Sequence, residues 1–443
     1  MRRTIAVAFI FFSFTTVLSA QTPAGNPDIA ALRAQLDALK ADYEKRIADL
    51  EKQLQDVQTQ MLQMPTAETA LIPTPAAAPP APTTTFGALN PAITAIGNFV
   101  GRGDNQKVFN FERGRIDNTL SLREAELDFR VPIDPYADGV FIPAFESDEP
   151  GKFEVDVEEA YINLKKLPFA GTPLGLKFQI GRFRPAFGKF NLLHTHDLPW
   201  TMRPLPTQEF LGDDGFISQG FSSDFFLPTP WDENQSLNAR FQVLTAGDVR
   251  VQPLPRGRLS YLGNLRWFKT IGSHNTELGW STYWHPSQQA DNKVALNALD
   301  FMYRWKPFRQ GEWKSFLLGG EMMFSNAQHP DAEEPADVAL NLTEINSSNR
   351  KPYGGSVFTQ WQFDRRKYAG VRWDYTTTIV DPSLIRRSFT PNFTYYFSEF
   401  LRMRLSYEHR WSSILAENKR NSFFAELNWV FGSHPPEPFW VNK

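Results

Sequence analysis

From Leu401 to Glu408 the residues alternate strictly. Leu401, Met403, Leu405 and Tyr407 share one parity, and Arg402, Arg404, Ser406 and Glu408 the other. A chain patterned in this way separates its two sets as a β-strand, whose successive side chains leave opposite faces. The period returns along the chain. Phe423, Ala425, Leu427, Trp429 and Phe431 oppose Glu426 and Asn428, and Leu278, Trp280, Thr282 and Trp284 oppose Glu277, Ser281 and Tyr283. Leu299, Phe301, Tyr303 and Trp305 oppose Asp300 and Arg304, and Val371, Trp373 and Tyr375 oppose Arg372 and Asp374. Alternation alone also fits a sandwich with one buried face. Here charges recur on the polar face, large aromatics cluster toward strand ends on the apolar face, and runs of about ten residues are common. Together these predict a transmembrane barrel, with lipid outside, a wet lumen and aromatic girdles at the interfaces.

Sixteen runs carry the pattern, at 92–102, 119–132, 136–146, 153–164, 175–183, 215–227, 235–245, 258–270, 274–285, 293–305, 314–325, 354–364, 367–379, 387–398, 400–411 and 422–431. The expected fold class is therefore all-β, an antiparallel barrel of about 16 strands. Composition agrees: aromatics reach 14% while charged residues stay at 21%. After residue 20 no apolar run is long enough for a membrane-spanning helix. The chain has no cysteine, which excludes disulfides and Cys-ligated zinc or iron–sulfur centres. A net charge of -3 gives no case for nucleic acid as a partner.

The first 85 residues follow other rules. Met1–Ala20 reads as a signal peptide, with Arg2 and Arg3, an apolar centre from Ile5 to Leu18, and the small pair Ser19-Ala20. Residues 21–64 are expected to form a coiled-coil stalk. Its seam runs through Leu32, Leu36, Leu39, Tyr43, Ile47, Leu50, Leu54, Val57, Met61 and Met64, with a stutter between Tyr43 and Ile47. A single helix cannot bury that seam, so a homo-oligomer, with the trimer as one option, is expected; packing of the helix on the chain's own body is the other way to cover it. Residues 65–85 are a Pro/Ala/Thr-rich linker, and the barrel takes 86–443. These assignments place the barrel in the outer membrane, in contact with its lipid, and the stalk in the periplasm.

Three polar insertions interrupt the strands, Gly103–Asn118, Arg184–Asp214 and Asn326–Lys351. The middle one is the candidate constriction. Phe187, Phe190, Leu192, Leu193, Trp200 and Phe210 are expected to pack on a wall, leaving His194, His196, Asp197, Arg203, Glu209, Asp213 and Asp214 toward the passage. Lys177, Arg182, Arg184, Arg402, Arg404 and Glu408 join them as pore-lining candidates. Further lumen charges are Arg258, Arg266, Arg304, Arg410, Glu154, Asp156, Glu158, Glu277, Glu321, Asp364 and Glu426. The signs are mixed, and each charge also fits a solvated wall position. His194-Thr195-His196-Asp197 has the residue types of a zinc site, as well as those of an ordinary hydrogen-bonded loop. The expectation is no resident cofactor, with zinc at His194, His196 and Asp197 as the exception to test. No enzyme is expected: there is no G-x-S-x-G elbow, and Ser406 and His409 leave opposite faces of one strand.

The strings F-E-V-D-V-E-E-A-Y-I-N-L from Phe153, Q-I-G-R-F-R-P-A-F-G-K-F-N-L-L-H-T-H-D from Gln179, and F-L-G-D-D-G from Phe210 resemble a group of bacterial outer-membrane proteins. Ile133-Asp134-Pro135-Tyr136 and Phe431-Gly432-Ser433-His434-Pro435 are similar too. That group is related to the phosphate-selective porin O/P superfamily, and some members carry the label of zinc-regulated TonB-dependent outer-membrane receptor. The resemblance covers most of Leu89–Pro438 and implies an outer-membrane barrel passing small solutes or ions. Two other functions stay open: a structural tether whose coiled coil reaches into the periplasm, and a zinc-linked uptake protein.

Overall fold

The computed structural model describes residues 92–110, 114–149, 152–167, 173–229, 234–245, 259–285, 294–325, 351–379 and 381–432. The signal, stalk and linker expected from the sequence lie outside the described residues. The alternating runs become sixteen antiparallel strands: β1 (Ala92–Asp104), β2 (Leu120–Pro132), β3 (Ala137–Glu149), β4 (Lys152–Leu164), β5 (Lys177–Phe183), β6 (Ser218–Leu227), β7 (Gln235–Thr245), β8 (Leu259–Ile271), β9 (His274–His285), β10 (Val294–Trp305), β11 (Ser315–Ser325), β12 (Tyr353–Asp364), β13 (Lys367–Thr377), β14 (Ile385–Ser398), β15 (Leu401–Ser412) and β16 (Arg420–Gly432). Each pairs with its sequence neighbours, and β1 closes the barrel on β16 from Thr94↔Gly432 to Asp104↔Ser422. Closure removes the free edges that an open sheet would expose.

The two parities separate as the sequence requires. On β16, Phe423, Leu427 and Phe431 are exposed, while Arg420, Ser422, Glu426 and Asn428 are buried. On β9, Trp280 and Trp284 are exposed, while Ser281 and His285 are buried. Because the sheet is closed, the buried polar face is the inside of the barrel.

Register shifts break this regularity at several pairings, and two of them lie beside the insert. Between β1 and β2 the register passes from Asn98↔Glu124 to Phe99↔Leu122, leaving Arg123 as an extra residue. Between β3 and β4 it passes from Ile142↔Glu159 to Pro143↔Val157, leaving Glu158 extra. A bulge lets two successive residues face the same side. Arg123 with Glu124, and Glu158 with Glu159, accordingly all point inward.

Strand alternation sorts the strand ends. The insert 184–217, the pair Thr245 and Leu259 and the pair Ser325 and Tyr353 lie at one end, and the short turns 133–136, 272–273, 365–366 and 399–400 at the other.

Candidate functional site

Between β5 and β6 the chain leaves the wall and folds into an insert, residues 184–217. Buried side chains shape it locally. Asn191 Nδ2 donates to the carbonyls of Pro185 (2.8 Å) and Phe216 (2.9 Å), while its Oδ1 accepts from the Phe216 amide (2.7 Å), so one residue ties both ends together. Arg184 Nη1 adds a bond to the Asp214 carbonyl. Arg203 bonds the carbonyls of Phe190 and Leu193 and the Thr195 hydroxyl, closing the short turns Phe190–Leu192 and Thr195–Asp197. Beyond them a seven-residue helix, α1 (Leu205–Leu211), is buried along its whole length and stops at Gly212.

The insert is fastened to the inner wall around much of its circumference. The amides of Gly188 and Lys189 donate to Ser281 on β9 (3.0 Å) and Glu321 on β11 (2.7 Å). Arg372 on β13 bonds the Met202 carbonyl (2.6 Å), and Arg402 on β15 the His196 carbonyl (2.5 Å). Arg123 on β2 bonds the Thr201 carbonyl (2.5 Å), and Arg386 on β14 pairs with Glu209. Apolar contact accompanies these bonds. Phe187, Phe210 and Phe216 pack on Phe183, Leu244, Leu262, Tyr283, Leu296 and Met323 of the wall. Phe190, Leu198 and Trp200 pack on Leu317, Phe358, Tyr368 and Tyr396.

The densest chemistry lies where the insert meets β2 and β4. His194 Nδ1 is 3.3 Å from Glu126 Oε1 and 3.0 Å from Glu158 Oε2. His196 Nδ1 is 3.1 Å from Glu124 Oε2 and 3.4 Å from Glu126 Oε1. The far nitrogens face other carboxylates: His196 Nε2 is 3.5 Å from Asp197 Oδ1, and His194 Nε2 is 4.0 Å from Glu159 Oε2. Arg184 Nη2 caps Glu158 at 2.5 Å. The residues from β2 and β4 are Glu124, Glu126, Glu158 and Glu159, all buried. Burial disfavours the charged imidazoles, but Glu126 with Glu158 at His194, and Glu126 with Asp197 and Glu124 at His196, outweigh it and hold both well above their ordinary value. The cluster therefore favours positive charge at the imidazole positions, carried by protons or by a cation.

The sequence-derived candidates divide into groups. Arg184, His194, His196 and Asp197 come together at this cluster, whereas Arg203 is spent inside the insert. Arg402 and Arg404 share Glu426 (3.0 and 3.1 Å), and Glu408 accepts from Arg410 (2.9 Å) and Arg420 (3.2 Å). Asp213 lines a small pocket beside Arg386 and Glu408. Arg182 pairs with Asp156 (2.9 Å), and Lys177 is exposed at the start of β5, both apart from the imidazole cluster. Arg258 lies outside the described residues.

Phe187, Phe190, Trp200 and Phe210 pack on the wall as expected, but the polar side chains do not all turn to the passage. His196, Arg203 and Glu209 are buried against the wall or within the insert. Phe190, Leu192, Leu193 and Pro199 also border a cavity of about 270 Å³, lined as well by Arg240, Arg266 and Arg304 of the wall. The physical reason is the wall itself, whose inward face carries buried carboxylates and arginines that pair with the insert's polar groups. The sequence reading also missed Glu124, Glu126 and Glu159 as partners. Their acidic alternation on β2 was a usable signal for the first two; the bulge that brings in Glu159 had none.

No family model matches the chain. An uncharacterised protein of Aquifex aeolicus (strain VF5) is 24% identical over 358 residues, 72% of this chain and 70% of its own length. Among solved structures, the outer membrane channel DcaP of Acinetobacter baumannii is similar with a TM-score of 0.50 at 10% identity, covering 77% of this chain and 97% of that one. An anion-selective porin from Comamonas acidovorans gives a TM-score of 0.47 at 10% identity, covering 77% of this chain and 99% of that one. The likeness to DcaP is one of fold.

Proposed function

We propose that the protein is an outer-membrane channel for passive passage of small solutes or ions, narrowed by the insert 184–214. The observation that carries this reading is the inner surface of the closed barrel, which is polar and charged and still leaves a cavity of about 270 Å³ beside the insert. A sixteen-stranded barrel encloses an aqueous lumen unless something fills it, and here the insert fills it in part. The outward belt supports the location: Trp280, Trp284, Trp361, Trp373 and Phe423 are exposed large apolar side chains, a surface made for lipid. The distribution of connections supports the orientation, with the long ones outside and the short turns toward the periplasm.

Planar lipid bilayers test both parts. The purified, folded protein is expected to give discrete conductance steps. A variant with residues 189–212 replaced by a short Gly/Ser link is expected to give larger ones. Folded protein that gives no steps overturns the channel; steps of unchanged size in the variant overturn the constriction.

A further inference from the structure

We propose that Glu124, Glu126, His194 and His196 form a binding site for a first-row divalent cation of the zinc type, which rivets the insert to β2. The four residues each offer one ligand atom, and these atoms all lie within 4.8 Å of one another. Three of the separations are 3.1, 3.3 and 3.4 Å. A tetrahedral ion with bonds of about 2.0–2.1 Å needs ligand atoms about 3.3–3.4 Å apart, so these edges already have nearly the required length.

A second observation points the same way. Both imidazoles turn Nδ1 toward the glutamates of β2, His194 toward Glu158 as well, and a carboxylate stands beyond each Nε2, Asp197 at 3.5 Å from His196 and Glu159 at 4.0 Å from His194. Drawn in to hydrogen-bond length, such a carboxylate would hold the proton on the outer nitrogen and leave the inner lone pair for the ion. Two imidazole nitrogens and two carboxylate oxygens suit zinc and its neighbours. Magnesium and calcium favour all-oxygen shells. Glu124 and Glu126 would neutralise a divalent ion, and the His194 side chain, 12% exposed, marks the side from which it enters.

The site is built across elements. β2 supplies two ligands at alternate positions on one inward face, and the insert supplies two from one short turn, Thr195–Asp197, and the residue before it. An ion here ties the insert to the wall independently of whether solute passes, so its test does not depend on conductance.

The experiment uses the untagged full chain, folded in detergent, dialysed with zinc and then against metal-free buffer. Elemental analysis is expected to find about one zinc per chain, and X-ray absorption a mixed nitrogen and oxygen shell at about 2.0 Å. Replacing both histidines (H194A with H196A) is expected to remove the ion. D197N is expected to keep it with about ten- to a hundredfold weaker affinity. Folding of each variant is verified by heat-modifiable gel migration, and E126Q replaces the double variant if that one does not fold. Wild-type protein that retains no zinc overturns the site. So does a folded double variant, or a folded E126Q, that binds zinc as tightly as wild type.

Discussion

Glu417 shows how a single ionisable group holds this lumen together. It sits in the connection between β15 and β16, where its carboxylate accepts from Arg386 Nε at 2.7 Å, and Arg386 also pairs with Glu209 of the insert. Burial alone would raise its pKa, but Arg386, Arg410 and Arg420 outweigh burial and lower it from 4.5 to about 2. A carboxylate depressed on folding contributes its stability fully above its ordinary range and loses it as the pH falls through the folded value. The contribution is about 3 kcal/mol near neutral pH and fades between roughly pH 4.5 and 2. Glu417→Gln is expected to be less stable than wild type at pH 7, with the two denaturation curves converging near pH 2. A constant gap across that range would contradict this role. Asn191 acts through geometry instead, since its amide satisfies backbone groups at both ends of the insert that would otherwise be buried without partners.

At the scale of elements, the strands were the legible part. All sixteen runs found by alternation became strands, with ends within a few residues, because a wet inside and a lipid outside impose period two on every one. The insert was legible as an interruption whose aromatics pack on the wall, but not in the burial of its polar groups His196, Arg203 and Glu209. Wall residues such as Leu317, Phe358 and Tyr368 sit on the inner parity and receive its aromatics, and only the folded register shows which heights of the wall are apolar. Glu124 and Glu126 were visible as alternating acids, yet their meeting with His194 and His196 spans about seventy residues of sequence. The insert's first turn depends on Gly188, whose φ is +65° and whose position leaves no room for a side chain: an added Cβ would lie 2.1 Å from a Glu321 carboxylate oxygen. Gly188→Ala is expected to cost about 1–2 kcal/mol for the left-handed backbone alone, with the clash added. The expected result is faster proteolytic cleavage inside the insert while the barrel keeps its heat-modifiable migration. A cleavage rate equal to wild type would show that the turn accommodates the methyl group.

For the whole molecule, the seam from Ile29 to Met64 remains the sequence's argument for self-association. Deleting it is expected to leave the barrel folded and convert the protein to monomers in native mass spectrometry. An unchanged oligomer would place the contacts on the barrel wall instead. The insert has a further consequence, for the order of assembly. It bonds upstream to Glu124 and Glu158, and downstream to Arg386, Arg402 and Ser406, the last two 206 and 205 residues from their partners His196 and Thr201. Its seat runs around the wall from β2 through β9 and β11 to β15, so no half-built barrel offers all of it. Contacts of such long sequence separation are late and slow to form. Full seating of the insert is therefore expected to follow the meeting of β1 and β16, read as protease protection of the insert that appears no earlier than heat-modifiable migration.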